Sequence, residues 1–386
     1  MLPKKLQNKL DKRIADNALR HLNEQPHLVD FSSNDYLGFS KSEGIFKAAN
    51  TLLKQYNSIQ NGATGSRLLS GNYNLYAIVE QELCEFHNSE AALIFNSGYD
   101  ANIGFFSSVP QRGDIILYDE FIHASIRDGI TMSNAKAHKF KHNNLEDLEQ
   151  KCKNINAQHR KDASIYIVTE SVFSMDGDTP DLHLLTMLSK QYNAFLVVDE
   201  AHAVGVFGEN GEGLIQREKL EHNVFARIIT FGKAMGCHGA AIICNKPLQQ
   251  YLVNFCRPFI YTTALPPHSI ATIKAAYQTN KTSNKRNKLR SSIKTFKLAL
   301  KNQKLNTYFI DSNSAIQCCI ISGNANVKAI ALALQKQGFD VKPILSPTVP
   351  IGKERLRFCL HAYNTHQEIS NVLKALRALI PHERYV

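Results

Sequence analysis

Between about residue 45 and 250 the chain alternates short apolar runs with longer mixed stretches. AALIF (91–95), DIILYD (114–119), SIYIVTE (164–170), AFLVVDE (194–200), RIITF (227–231) and GAAIICN (239–245) are the apolar runs. Runs of this kind read as parallel strands buried on both faces. LYAIVEQELCEF (75–86) and DLHLLTMLSKQY (181–192) lie between them with helical spacing. The pattern predicts an α/β domain whose mostly parallel sheet is covered by helices on both faces. At the start, Leu6, Leu10, Ile14, Ala18 and Leu22 recur every fourth residue. They predict one helix with an apolar stripe, ringed by Lys5, Lys9, Lys12, Arg13 and Arg20. The extended piece HLVDFSSNDYLGF (27–39) follows.

The pattern changes after YTTALPP (261–267). A polar, Lys-rich helical stretch runs from about 268 to 302. Then come a strand (AIQCCII, 315–321), a helix (NVKAIALALQKQ, 326–337), a strand (RLRFCLH, 355–361) and a helix (HQEISNVLKALRALI, 366–380). That order predicts a smaller α+β domain. The expected division is an N-terminal segment (1–40), a large domain (41–278) and a small C-terminal domain (279–386).

Composition narrows the class. With 386 residues, 44% hydrophobic and 20% charged, the chain suits a folded protein and not a long disordered one. The 45 Lys+Arg against 34 Asp+Glu give +11, which favours anionic partners: nucleic acid, phosphorylated cofactors or acidic proteins. A nucleic-acid binder needs a basic face with interleaved aromatics or a known module, and the sequence shows neither. No apolar run reaches the about 18 residues of a membrane helix, and the N-terminus has no secretory apolar core. The eight cysteines are scattered without a CxxC, so reduced thiols and a cytoplasmic protein are expected. Cys237 and His238 are too few ligands for a metal site, and none is expected.

In open α/β sheets the chemistry gathers where strands end and helices begin. AFLVVDE ends in Asp199-Glu200-Ala201-His202, and a carboxylate at that buried edge suits a cationic ring nitrogen. An Asp capping a turn is the alternative. RIITF leads to Thr230-Phe231-Gly232-Lys233, where a lysine among small residues can serve as a Schiff-base nucleophile, or be an ordinary loop lysine. AALIF leads to Asn96-Ser97-Gly98-Tyr99, whose backbone N–H groups can bind phosphate while Tyr99 covers the ligand. DIILYD leads to His123, able to stack on a planar ring or to lie in solvent. SIYIVTE leads to Glu170-Ser171-Val172-Phe173-Ser174, again a carboxylate and hydroxyls after a strand.

Taken in order, these exits resemble the aspartate-aminotransferase-like fold type I enzymes that use pyridoxal 5′-phosphate (PLP). NDYLGF, GATGSRLLSG, HAS, ESVFSMDGD, VVDEAHAVGVFG, TFGKAMG, YTTALPP and SPTVPIGKERLR resemble the α-oxoamine synthase family over nearly the whole chain. The resemblance implies PLP as cofactor, a PLP-dependent acyltransferase reaction and a homodimer with shared active sites. It implies that Lys233 carries the cofactor, that Asp199 pairs with the ring nitrogen, that His202 meets the ring hydroxyl and that His123 stacks on the ring. Gly98, Tyr99 and Thr230 match the phosphate contacts, and Ser174 a serine against the cofactor. Thr262 and Thr263 match a segment that reaches the neighbouring subunit's phosphate. Arg357, helped by Asn34, matches the site of the substrate carboxylate.

The tail SPTVPIGKERLRF is most similar to the branch that condenses L-alanine with a pimeloyl thioester, of CoA or acyl carrier protein, in biotin synthesis. Ser66 stands where a glycine-using branch has threonine, leaving space for alanine's methyl group. Arg20 resembles an arginine for the far carboxylate of a dicarboxylic acyl chain. Arg67 is a departure that bears on the acyl and thioester contacts. The alternatives are another branch, such as the one joining glycine to acetyl-CoA, or a non-catalytic subunit of the same fold. Presence of Lys233 speaks against the latter.

Overall fold

The computed structural model describes residues 2–20, 22, 27–158 and 163–380. The chain forms two compact units, one of Leu37–Phe173 with Thr179–Arg286, the other of Met1–Tyr36, Ser174–Asp178 and Asn287–Val386. The N-terminal segment thus groups with the C-terminal part. The crossing at 286/287 lies past the expected 278/279, because helix Pro267–Thr282 buries Ile270, Ala271, Ile273 and Ala276 in the larger unit.

The described strands are β1 (Val29–Asp30), β2 (Ala91–Phe95), β3 (Ile115–Asp119), β4 (Lys136–Phe140), β5 (Ile165–Glu170), β6 (Phe195–Asp199), β7 (Ala226–Thr230), β8 (Ala240–Cys244), β9 (Ile316–Ile320), β10 (Phe339–Asp340), β11 (Lys342–Ile344) and β12 (Arg355–Cys359). In the larger unit they make one sheet of order β2-β8-β7-β6-β5-β3-β4. Successive strand residues feed opposite cores, which is why the runs are apolar throughout. Ile116, Val168, Val197 and Ile228 pack on one face with Ala101, Phe105 and Ile126. Leu117, Ile167, Leu196 and Val198 pack on the other with Leu148, Leu182 and Leu185.

Two strands depart from the pattern read in the sequence. GAAIICN was expected to be parallel, but β8 runs antiparallel to both β2 and β7. The segment 231–239 joining β7 to β8 is too short for a crossover helix. β4 was not expected at all. Its sequence KAHKF is polar because it forms the sheet edge, where only Phe140 is buried and lysines discourage further pairing. Since β8 opposes both its neighbours, β2 runs the same way as β7. The C-terminal ends of β2, β3, β5, β6 and β7 therefore open on one edge of the sheet.

In the smaller unit β11, β12 and β9 form an antiparallel sheet, and β1 pairs with β10. Helix His366–Leu379 starts at a capping box of Thr365 and Glu368 and buries Ile369, Val372, Leu373 and Leu376. The Lys-rich stretch is two helices, Pro267–Thr282 and Lys285–Asn302. The first helix of the chain is Lys4–Ala15, and Asn17 with φ +50 lies just past its end. Leu6, Leu10 and Ile14 are exposed on it, while Arg20, expected on this helix, lies beyond it and is exposed. Among the described residues no helix is long and apolar enough to cross a membrane.

Candidate active site

The strand exits of the larger unit line a cavity of about 190 Å³, formed by residues that include Gly98, His123, Glu170, Asp199, Thr230 and Lys233. Lys233 follows β7 in a tight loop. Phe231 and Gly239 close it by a backbone bond of 2.9 Å, and the Gly236 N–H donates to the Lys233 carbonyl at 2.8 Å. Gly236 has φ +63, and a Cβ there would lie 2.3 Å from the Ser40 nitrogen. Only glycine fits that approach. The loop sets the Lys233 Nζ 2.7 Å from His202 Nε2.

Asp199 ends β6 and is 6% exposed. Its Oδ1 accepts the Ala201 N–H at 2.8 Å, and its Oδ2 accepts from Asn102 Nδ2 at 2.9 Å. The same amide donates to Ser125 Oγ at 3.0 Å. Ser125 Oγ lies 2.7 Å from His123 Nδ1, which also accepts the Ser125 N–H at 3.2 Å. Nδ1 is thus an acceptor and His123 is neutral, with its proton on Nε2. Burial is the main cause holding the His123 pKa below its ordinary value. Asp199 opposes that shift and Lys233 adds to it. One side-chain amide therefore fixes both Asp199 and, through Ser125, His123.

The neighbouring Glu200 is fully buried. It accepts from the Leu214 and Ile215 N–H groups at 2.7 and 3.0 Å and from Arg227 Nε at 2.7 Å. Arg227 also donates to the carbonyls of Glu212 and His87. This buried pair seats the turn 199–202 that carries Asp199 and His202.

At the exit of β2, Ser97 caps helix Gly98–Ser108 by accepting the Asp100 N–H at 3.0 Å. The first-turn N–H groups of Gly98 and Tyr99 have no intrahelical acceptor, as at any helix start, and suit an anion. A Cβ on Gly98 would lie 3.7 Å from Thr230 Oγ1, so Thr230 stands beside that helix start. Tyr99 is 48% exposed, with its hydroxyl donated to Asp128 at 2.7 Å.

Lys233, His202, Asp199, His123, Gly98, Tyr99 and Thr230 thus come together in the larger unit. Ser66, Thr262 and Thr263 belong to the same unit but do not line this cavity. Ser66 is itself buried at the start of an exposed turn, its carbonyl accepting the Leu69 and Gly71 N–H groups. The Thr263 carbonyl accepts from Asn96 Nδ2 at 2.6 Å. Ser174, Asn34 and Arg357 form a group of their own in the smaller unit. Arg357 is 8% exposed on β12 and donates to the Ser174 carbonyl (2.8 Å), Asn34 Oδ1 (3.0 Å) and Cys359 Sγ (3.0 Å). It is not a solvent-facing strand arginine. Arg67 is held internally, with Glu80 accepting from both Nη atoms at 2.5 and 3.0 Å and Tyr76 stacked 4.0 Å away. It ties the turn at 67–72 together through Asn72 and to the next helix through Glu80.

Sequence reasoning passed over Asn102 and Ser125. Asn102 lies one turn after Gly98, and Ser125 is the serine of the motif HAS. The signal was a polar residue on the sheet-facing side of an otherwise apolar helix. A larger open cleft of about 570 Å³, lined by His87, Glu221 and Arg227, lies away from the strand-exit nucleophile and holds none of these groups.

The donor set fits PLP. It offers a carboxylate for the ring nitrogen, a lysine for the aldehyde, an imidazole for a ring face and a helix start for the phosphate. Two buried oxygens of the cavity residues, Glu170 Oε1 and Asn102 Oδ1, have no hydrogen-bond partner within the protein. Residues 26–376 match the aminotransferase class I and II family. The 8-amino-7-oxononanoate synthase of Emericella nidulans is 41% identical, over 90% of this chain and 88% of its own. The 8-amino-7-oxononanoate synthase structure from Francisella tularensis superposes with TM-score 0.77 and 28% identity, over 91% and 97% of the two chains. A serine palmitoyltransferase from S. paucimobilis, solved with a bound PLP–myriocin aldimine, superposes with TM-score 0.86 and 28% identity, over 97% and 96%. The chain belongs to the aminotransferase class I and II family and, within it, to the PLP-dependent acyl-transferring enzymes of the α-oxoamine synthase type.

Proposed function

We propose that this enzyme condenses L-alanine with a pimeloyl thioester, with loss of CO2, to give 8-amino-7-oxononanoate, the reaction named for the relatives above. The observation that carries this reading is the 41% identity to the Emericella enzyme over 90% of the chain. The intact set Lys233, Asp199, His202 and His123 supports a catalytic subunit.

Bound PLP supplies an electron sink for negative charge at the amino acid's α-carbon. The protein's own groups do the rest. Asp199, held by Asn102 and the Ala201 N–H, keeps a proton on the ring nitrogen. His123, fixed through Ser125, is the imidazole that would meet a face of the bound ring. Lys233 Nζ removes the α-proton and returns one after decarboxylation, with His202 at 2.7 Å to orient it. Gly98, Tyr99 and Thr230 hold the phosphate. The amino-acid carboxylate is assigned to Arg357, whose planar fork is already oriented by Asn34 and the Ser174 carbonyl. Ser66 leaves room for the methyl group, and Arg20 takes the distal carboxylate of the acyl chain.

A homodimer with Thr262 and Thr263 serving the partner's phosphate is part of the same proposal. Ile59, Leu69, Phe255 and Tyr261 of the larger unit are each exposed in the single chain, as apolar residues covered by a partner would be. The higher TM-score of the serine palmitoyltransferase favours a second reading, L-serine with a long acyl donor. One experiment separates them. The holoenzyme is assayed with alanine, glycine and serine against pimeloyl, succinyl, acetyl and palmitoyl thioesters, on CoA and on carrier protein. Alanine with the pimeloyl donor is expected to give the highest kcat/KM. Preference for glycine, serine or a monocarboxylic donor overturns the assignment.

A further inference from the structure

A second buried carboxyl at the strand exits has no role in the account above. Glu170 ends β5 and stands opposite Asp199 of β6 in the parallel register. Residues so paired, on strands about 4.8 Å apart, present their side chains to one face. Glu170 is 3% exposed, Asp199 is 6% exposed, and both line the same cavity. Their surroundings differ. Asp199 accepts from Asn102 and from the Ala201 N–H. Glu170 Oε1 is buried with no hydrogen-bond partner.

Two ionised carboxylates this close repel, and the one with a bare buried oxygen is the costlier to charge. The groups whose charge or hydrogen bonding acts on Glu170 are Asp199 from β6, Asp119 at the end of β3, the backbone N–H of His123 in the loop beyond it, and Lys233 from the loop after β7. Lys233 and the His123 N–H favour the charged form, while the two carboxylates disfavour it. Burial is the largest influence, and with Asp199 it pushes the Glu170 pKa well above its ordinary 4.5.

We propose that Glu170 is a positioning residue that faces the cofactor cleft as a carboxylic acid, a hydrogen-bond donor beside Asp199. The cleft then presents one carboxylate to the cationic ring. Lys233 is not drawn into an ion pair with Glu170, and Asp199 does not share its charge. The proposal rests on the assignment of Asp199 to the ring nitrogen, so the first arm of its test does not use the cofactor.

Infrared difference spectra are taken of the apoprotein and of Glu170→Gln at neutral pH. The parent is expected to show the carbonyl stretch of a buried protonated carboxyl that the variant lacks. Loss of only a carboxylate band overturns the proposal, whatever becomes of Asp199. In the second arm, PLP affinity of the apoprotein is measured by absorbance titration. Glu170→Ala is expected to bind PLP about tenfold more weakly, the worth of one buried hydrogen bond. Glu170→Gln, uncharged and of the same shape, is expected to restore the affinity to within about threefold and leave the pH midpoint of the bound cofactor's absorbance band unmoved. A glutamine variant no better than alanine, a midpoint moved by a full pH unit, or an alanine variant as tight as the parent overturns it. The infrared arm needs only the isosteric variant, so it stands even where Glu170→Ala does not fold.

Discussion

Replacing Arg227 by methionine tests the link between the buried ion pair and the catalytic turn. Arg227 and Glu200 have side chains 3% and 0% exposed. Methionine fills much the same volume but removes the 2.7 Å bond to Glu200 and those to the Glu212 and His87 carbonyls. Glu200 then keeps the Leu214 and Ile215 N–H groups on Oε1 and leaves Oε2 charged and bare. Removing one partner of a buried pair costs about 3–5 kcal/mol, most of it the stranded charge. For a unit of this size each kcal/mol is worth about 2–4 °C, so the melting temperature is expected to fall by roughly 6–20 °C. Urea unfolding followed by circular dichroism gives the free energy directly. PLP affinity falls with it, because Asp199 and His202 flank Glu200 in the turn. Adding Glu200→Gln to the Arg227→Met background is expected to cost less than Glu200→Gln costs the parent, since the stranded charge is gone. A loss below about 1 kcal/mol, or strictly additive single and double variants, refutes the reasoning.

Three further outcomes follow. Gly236→Ala forces a Cβ to 2.3 Å from the Ser40 nitrogen at φ +63; it is expected to cost about 2 kcal/mol or more in urea unfolding and to weaken PLP binding, the left-handed backbone alone being worth about 1–2. His87 is fully buried against Tyr277, and burial first, then Arg227, holds its pKa well below 6.5. Below pH 6.5 the unfolded chain takes up a proton that the folded chain refuses, so stability falls by up to about 1.4 kcal/mol per pH unit as pH drops; His87→Gln is expected to flatten that slope in unfolding measured from pH 7 to 5. Arg67→Met is expected to cost about 2–4 kcal/mol of stability by stranding Glu80, whereas a donor-contact role would raise the thioester KM with stability unchanged.

The strand exits were legible because a strand buried on both faces writes itself as an unbroken apolar run, and each functional residue sits just past such a run. Lys233, Asp199, His202 and His123 could therefore be placed along one edge before any geometry was known. β4 was not legible, because an edge strand is selected for polarity and KAHKF has no apolar signature. The direction of β8 was not legible either, since AAIIC reads the same in both senses, and only the short loop 231–239 decides it. Asn102 shows in the sequence as a polar residue on the inward side of an apolar helix, but its joint hold on Asp199 and Ser125 is side-chain geometry that spacing does not reveal. Arg67 reads in the sequence as a departure that bears on the acyl and thioester contacts, because its partner Glu80, thirteen positions on in the next helix, is not signalled by spacing. The stripe Leu6, Leu10 and Ile14 forms the predicted helix, which stops at Ala15 short of Ala18 and Leu22, and it is exposed in this chain, because periodicity reports that a face is apolar and not what covers it.

Lys233 is the residue proposed to carry the cofactor, and chemical trapping tests that directly. The holoenzyme is treated with borohydride, digested, and its peptides are sequenced by mass spectrometry. The account predicts a pyridoxyl group on Lys233, and its loss in Lys233→Ala. A label on another lysine, or no label on a holoenzyme that turns over, contradicts it.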